Sequence, residues 1–366
     1  MRRRKENKMS DKAKNTLKSI LFPIVAVILS LFISVFFVMW AKGYSITQYF
    51  TALSDLLSVV WKGSFGTQKN ALATLSEVTP LIFTGVASAV AFKCGLFNIG
   101  VGGQFVLGML AAAAVGIIPG LSPVIHIPLI IISGIVAGGI WGGIPGFLKA
   151  KFGTSEVINT IMMNYISISL ANYFILRTAF GVPGKSATPE IQSSAMLARF
   201  VTGSSANMGI FIAVVTALLM GFLLWKTKTG YEMRAVGINP YAAEYAGVNI
   251  SQKAVLAMLI SGAIAGLGGA VHVAGVKHMI QDFLVVPAYG FDGVAVALLA
   301  KKNPVACIGT AVLFGALNSS SRTLQINGIP KEIVFLIQAV IIIFVASDYI
   351  LTYFQNKKKK GEIMNG

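Results

Sequence analysis

Thr227 to Asn249 reads TKTGYEMRAVGINPYAAEYAGVN, the one long polar interior segment of an otherwise membrane-like chain. It lies between two apolar runs, Met208–Trp225 and Ala254–Val276, and carries Glu232, Arg234 and Glu244. Apolar runs of about 17–25 residues cross a hydrocarbon core as helices, so the segment between these two emerges from the bilayer as a connection. Its residues are patterned for structure. Gly230 is expected to break the preceding helix, and Tyr231–Val236 to form one turn or two. Asn239-Pro240 reads as N-cap followed by first helical residue of a short helix over Pro240–Ala246, and Gly247 supplies the stop. Small Ala242, Ala243 and Ala246 would let that helix lie close against a protein groove. Something outside the bilayer is expected to grip it.

The rest of the chain sets the solvent. Of 366 residues, 55% are hydrophobic and only 12% charged, with 38 glycines, which excludes an ordinary soluble globule. The expected fold is all-α, a polytopic transmembrane helix bundle of about ten spans. These are Ile20–Trp40, Ala71–Phe92, Gly103–Ile118, Pro128–Leu148, Val157–Leu176, Met208–Trp225, Ala254–Val276, Tyr289–Ala300, Pro304–Asn318 and Ile333–Phe354. The first is too long, and too poor in small cleavage-site residues, for a removed signal peptide. Tyr289–Ala300 is too short to cross about 30 Å at 1.5 Å per residue and reads as a broken or buried half-helix. One transmembrane domain is expected over 19–355, with the coupling loop at 226–252 and basic tails at 1–18 and 356–366.

A net charge of +17 would suggest nucleic acid until the basic residues are placed. Eight precede the first span and four form the Lys357–Lys360 run after the last, which are topology signals. Both ends are then inside, as an even number of crossings requires. This arrangement puts 21 of the 30 Lys and Arg inside and nine outside, as the positive-inside rule expects. The outside connections include a semi-amphipathic patch in Lys42–Asn70 and a polar loop at Arg177–Asn207. Cys94 and Cys307 both fall near inner membrane edges, with no disulfide framework.

Glycine recurs with a period of four at Gly134, Gly138, Gly142 and Gly146, and Gly262 and Gly266 begin a second small face. In lipid such faces let helices approach closely, so packing is the expected role. Cys94–Ala112 and Tyr289–Leu317 loosely resemble each other, each opening on an aromatic, a polar residue and glycines. Glycine-interrupted segments in both halves of a transporter point to a midplane site.

No catalytic residue, metal site or cofactor is implied. AFGVPGKS at Ala179–Ser186 imitates a phosphate loop, but a membrane helix precedes it, Pro189 follows closely, and it lies outside. His126, His272 and His278 have no ligand spacing and read as structural or interfacial. Polar groups at membrane depth are costly and belong in the bundle interior. Glu77, Asn98, Gln104, Asn159, Asn164, Asp292 and the aromatics Phe97 and Phe291 are therefore the candidate substrate path, neutral amides and rings suiting a ligand with several hydroxyls. Asn172 joins them on the fifth span, where the asparagines could equally bond helix to helix.

At this point the residues resemble a known family, the permease subunits of ABC importers for branched-chain amino acids, ribose and simple sugars. The resemblance covers nearly all of the chain beyond Ala71. It rests on GLFNIG from Gly95, RAVGINP from Arg234 with Ala243–Val248, SGAIAG from Ser261, and Gly290–Leu299. GTSEVINTIMMNYI from Gly153 and EMRAVG from Glu232 look most like the larger permease of nucleoside importers. The long basic N-terminus and the lysine tail depart from the usual pattern and suggest added membrane-surface contact.

The resemblance implies a bacterial plasma-membrane importer subunit paired with a second, non-identical permease. It also implies a cytoplasmic ATPase partner and a tethered extracytoplasmic binding protein. The substrate would be a nucleoside, with a ribose-like sugar as the alternative. Thr227–Asn249 would then be the coupling element in the ATPase cleft. Glu232, Arg234, Asn239 and Pro240 would shape the contact, beside Ala243, and Gly237 and Gly247 would set its turns. ATP closure would draw the coupling helices together and switch the bundle between inward- and outward-facing packing. A secondary transporter would need coupling acids, for which only Glu77, Asp292 and Asp348 are candidates. A scaffold subunit would be equally polytopic and glycine-rich, and a dependence on a soluble or lipid-anchored binding protein would argue against it.

Overall fold

The computed structural model describes residues 25–345. The basic tails, Asp348 and the end of the last apolar run lie outside the described residues. Two compact units emerge, one over Ser64–Ser319 and the other from the residues before and after it.

In the smaller unit, α1 (Val25–Lys42) is followed by α2 (Tyr49–Ser64), a helix where the sequence indicated only a semi-amphipathic patch. The Tyr49 hydroxyl donates to Phe32 O at 2.7 Å, and Tyr44 donates to Asp55 at 2.8 Å. These bonds fix the turn between the two helices.

The larger unit is built from α3 (Gln68–Lys93), α4 (Val101–Gly116), α5 (Pro123–Phe152), α6 (Glu156–Arg177), α7 (Gly209–Lys226), α8 (Lys228–Ile238), α9 (Pro240–Tyr245), α10 (Ile250–His272) and α11 (Tyr289–Leu299). A single π-type turn, Val273–Lys277, follows α10. The chain then enters α12 (Ala306–Ile326), whose residues from Ser320 belong to the smaller unit together with α13 (Glu332–Val345). The described part of each of the ten apolar runs falls largely on a helix. Among the described residues five helices, α1, α3, α5, α7 and α10 with its π turn, are long and apolar enough to cross a membrane, and α4, α11 and α13 are shorter apolar helices.

The glycine faces explain the central packing. A Cβ on Gly142 would lie 2.8 Å from Gly262 Cα, and one on Gly138 would lie 2.6 Å from Gly266 Cα. The stripe on α5 and the stripe on α10 are thus the two halves of one backbone-to-backbone seam. Lipid supplies no hydrophobic drive, so such close van der Waals approach is what holds the pair. α11 sits against α3 in the same way, with Gly293 over Thr84 and Gly85 over Val296.

The 177–207 connection closes one end of this unit. Its backbone bonds to Ala274, His278 and Ile280 beyond α10, and Gln192 N donates to Gly116 O at 2.8 Å. His126 joins α5 to it through Ser194 Oγ at 2.9 Å, a structural role for that histidine.

Candidate functional site

At the opposite end of α10, α8 and α9 form a helical elbow. The break before it is at Thr227, not Gly230. Thr227 is extended, and its hydroxyl accepts the Gly230 N–H at 3.1 Å as the N-cap of α8. Gly230 lies inside that helix and is needed because a side chain there would enter the backbone of Leu223 and Leu224. Asn239 caps α9 as expected, accepting from Ala242 N at 3.1 Å, with Pro240 at the first helical position. Gly247 takes φ +81 and ends the element. Gly237 does not set a turn. It lies within α8, against Gly95 and the last residues of α3.

Glu232 and Arg234 face the bundle, while Glu244 is exposed. Glu232 bonds Lys253 of α10 at 2.6 Å, and that ammonium holds its carboxyl below the usual range. The Arg234 guanidinium lies 4.3 Å from the Trp225 ring centroid, a cation–π contact with α7. Ala243 is buried, so it is a packing residue of the elbow and not part of its outer face. What the elbow shows outward is Ile238, Tyr241 and Tyr245, exposed by 85%, 74% and 95%. The sequence reading missed them. The spacing of four between Tyr241 and Tyr245 on α9 was the available signal.

The neutral amides assemble around the start of α4. Asn98 Nδ2 donates to Gln104 Oε1 at 3.0 Å and to Ser261 Oγ at 2.9 Å, while its Oδ1 accepts from Gly100 N at 2.9 Å. Asn164 reaches from α6, accepting from Gly103 N at 2.7 Å and donating to Ile99 O at 3.0 Å. A helix that begins inside a membrane leaves N–H groups that water cannot satisfy, and these side chains satisfy them. Asn172 likewise brackets Phe283, at 2.8 Å in both directions. Asn159 stands apart, bonded to Thr154 at 2.7 Å, and the Phe97 ring stacks on Phe92 with centroids 4.7 Å apart.

Glu77 and Asp292 come together elsewhere, on neighbouring faces of α3 and α11. Tyr289 donates to Glu77 Oε2 at 3.1 Å, and Asn318 donates to Asp292 Oδ2 at 3.0 Å. His272 and Phe105 pack on Tyr289 at 5.4 and 5.9 Å, while Phe291 is exposed. Tyr289 and His272 were absent from the sequence-based path, the first because it only marked the start of a short span.

Membrane-length helices, a buried polar layer and a protruding two-helix elbow define a multi-pass membrane permease. Residues 70–346 match the branched-chain amino acid transport system / permease component family, and this chain belongs to it. It is 40% identical over 352 residues to the guanosine ABC transporter permease protein NupP of Bacillus subtilis strain 168, covering 94% of this chain and 98% of that one. It is 35% identical to the nucleoside ABC transporter permease protein NupB of Lactococcus lactis subsp. cremoris, covering 95% and 99%. The guanosine ABC transporter permease protein NupQ of B. subtilis also matches, at 25% over 68% of this chain and 80% of that protein.

Proposed function

We propose that this chain is one transmembrane subunit of an ATP-driven importer that carries nucleosides across a bacterial plasma membrane. The observation that carries the reading is the near full-length relationship at 40% identity to a guanosine permease. The chain works with a second, non-identical permease, an outlook supported by its similarity to both NupP and NupQ of one organism. A cytoplasmic ATPase drives it and a tethered extracytoplasmic binding protein delivers substrate. Ten crossings put both ends and the α8–α9 elbow in the cytoplasm, where Ile238, Tyr241 and Tyr245 seat in the ATPase. Glu232 and Arg234 hold the elbow to α10 and α7, so a displacement of the elbow moves the bundle.

A sugar reading is kept alive by 30% identity to the glucose ABC transporter permease protein TsgB13 of Haloferax volcanii, over 82% of each chain. Reconstitution with the partner permease, ATPase and binding protein separates the two. ATP-dependent uptake of labelled guanosine that excess ribose does not reduce supports the nucleoside reading. Uptake of ribose instead leaves the importer standing and removes the substrate.

A further inference from the structure

The polar layer divides into two groups of different chemistry. The amides of Asn98, Gln104 and Asn164 spend their donors and acceptors on one another, on Ser261 and on the backbone of residues 99–103. The carboxylates do not. Among the described residues Glu77 receives one hydrogen bond, from Tyr289 to Oε2, and Asp292 one, from Asn318 to Oδ2. Both acids are only part-buried, on membrane helices. An accessible carboxylate at that depth cannot face hydrocarbon, so this face lines a water-filled path or meets a polar partner.

His272 supplies an independent sign. It is 95% buried by its 5% exposure, its ring stands edge-on to Tyr289 at 5.4 Å, and Nδ1 has no hydrogen-bond partner. The ring that flanks Tyr289, the residue holding Glu77, thus carries a buried nitrogen without a partner, and such groups are ordinarily satisfied.

Resting on the nucleoside reading above, we propose that Glu77, with Tyr289 and His272, recognises the base of the substrate and selects bases that present adjacent N–H donors. An ionised carboxylate is acceptor-only and takes two parallel donors, as on the N1–H and exocyclic amine of guanine. Adenine offers an amine beside an acceptor nitrogen, which a carboxylate repels. Hypoxanthine offers one donor and falls between. Tyr289 fixes the carboxylate through its hydroxyl and adds a ring face to the flat heterocycle, in an aromatic group with His272 and Phe105.

The test is competition of labelled guanosine uptake by unlabelled guanosine, inosine and adenosine in the reconstituted four-component importer. Binding-protein affinity is measured separately, so that its own preference is subtracted. In wild type, competition is expected to run guanosine, inosine, adenosine. Glu77→Gln is expected to reduce the guanosine-over-adenosine preference on the order of ten-fold or more, the scale of a lost bidentate pair. Tyr289→Phe keeps the volume, removes the bond to Oε2, and is expected to weaken the same preference less. This variant keeps the test valid where Glu77→Gln assembles poorly. A preference unchanged in both variants, with total uptake merely lower, overturns base recognition while leaving nucleoside import intact. Failure of wild type to import any nucleoside overturns the proposed substrate first, and this inference with it.

Discussion

Gly95 and Gly237 meet backbone to backbone: a Cβ on Gly95 would lie 3.2 Å from Gly237 Cα, and one on Gly237 would lie 2.9 Å from Gly95 N. The elbow helix α8 therefore touches the short segment between α3 and α4 directly. That segment carries Asn98, which is bonded to Gln104 on α4 and Ser261 on α10. A push on α8 has no soft side chain in which to dissipate before it reaches the start of α4.

Gly237 is the position where this transmission is most easily broken. The atoms a new Cβ would meet are backbone atoms of Lys93, Cys94 and Gly95, which cannot rotate away. Gly237→Ala is expected to cost on the order of 1–3 kcal/mol, as overpacking does. Gly237→Trp is expected to bring uptake to background while the protein still inserts. Gly143→Ala is the control, since its nearest neighbour is Leu259 Cδ1 at 4.0 Å. It is expected to keep uptake, measured at matched expression.

Cys94 reports on the same contact. It follows α3 directly, its thiol lies 3.6 Å from Lys253 O, and burial pushes it up to about 12. The thiolate is the reactive form, so at pH 7 to 8 the site is expected to resist maleimide. Lifting α8 by Gly237→Val is expected to return the thiol toward its ordinary value and speed labelling at least several-fold, read by mass spectrometry in a Cys307→Ala background. Labelling equally slow in both proteins would mean that α8 does not shield this end of α3.

Much of this arrangement was legible in the sequence because periodic spacing maps directly onto helix faces. The fourfold spacing of Gly134 to Gly146 forecast a close-packing helix face, which the structure pairs with Gly262 and Gly266 of α10, and Asn239-Pro240 forecast the α9 cap. Gly230 and Gly237 were misread because a glycine in a polar stretch signals a break as readily as a close approach, and only the neighbour's position decides which. Ile238, Tyr241 and Tyr245 passed unnoticed since apolar residues on one face of a short helix usually point inward. The pairing of Glu77 with Tyr289 spans 212 positions and has no local signature at all.

Asn98 separates a structural from a ligand-binding role for the amides. Asn98→Ala removes both partners of the Gln104 amide, one partner of Ser261 and the acceptor for Gly100 N. Each buried polar group left unpaired costs about 1–3 kcal/mol. The expected outcome is a fall of several degrees in the thermal midpoint of the purified protein, on the scale of about 1–2 °C per kcal/mol for a chain of this size. Relative competition by guanosine and adenosine is expected not to change. An unchanged midpoint with altered competition would instead return Asn98 to the substrate path.

The outward face of α9 is where the energy source attaches, under the proposed function. Tyr241 and Tyr245 stand one helical turn apart and expose most of their surface, and Ile238, the last residue of α8, is exposed as well. A large aromatic left in water loses nothing within the subunit when truncated, but at an interface such residues carry much of the binding energy, roughly 2 kcal/mol or more each. Tyr241→Ala and Tyr245→Ala are therefore expected to leave the thermal midpoint unchanged, weaken co-purification of the ATPase, and lower uptake in proportion. Glu244→Ala, on the same short helix and exposed, is expected to do far less, since a rim charge is screened and solvated. Should both tyrosine variants keep their ATPase, the coupling contact would have to lie elsewhere on the elbow, and the role of Tyr241 and Tyr245 in it would be lost.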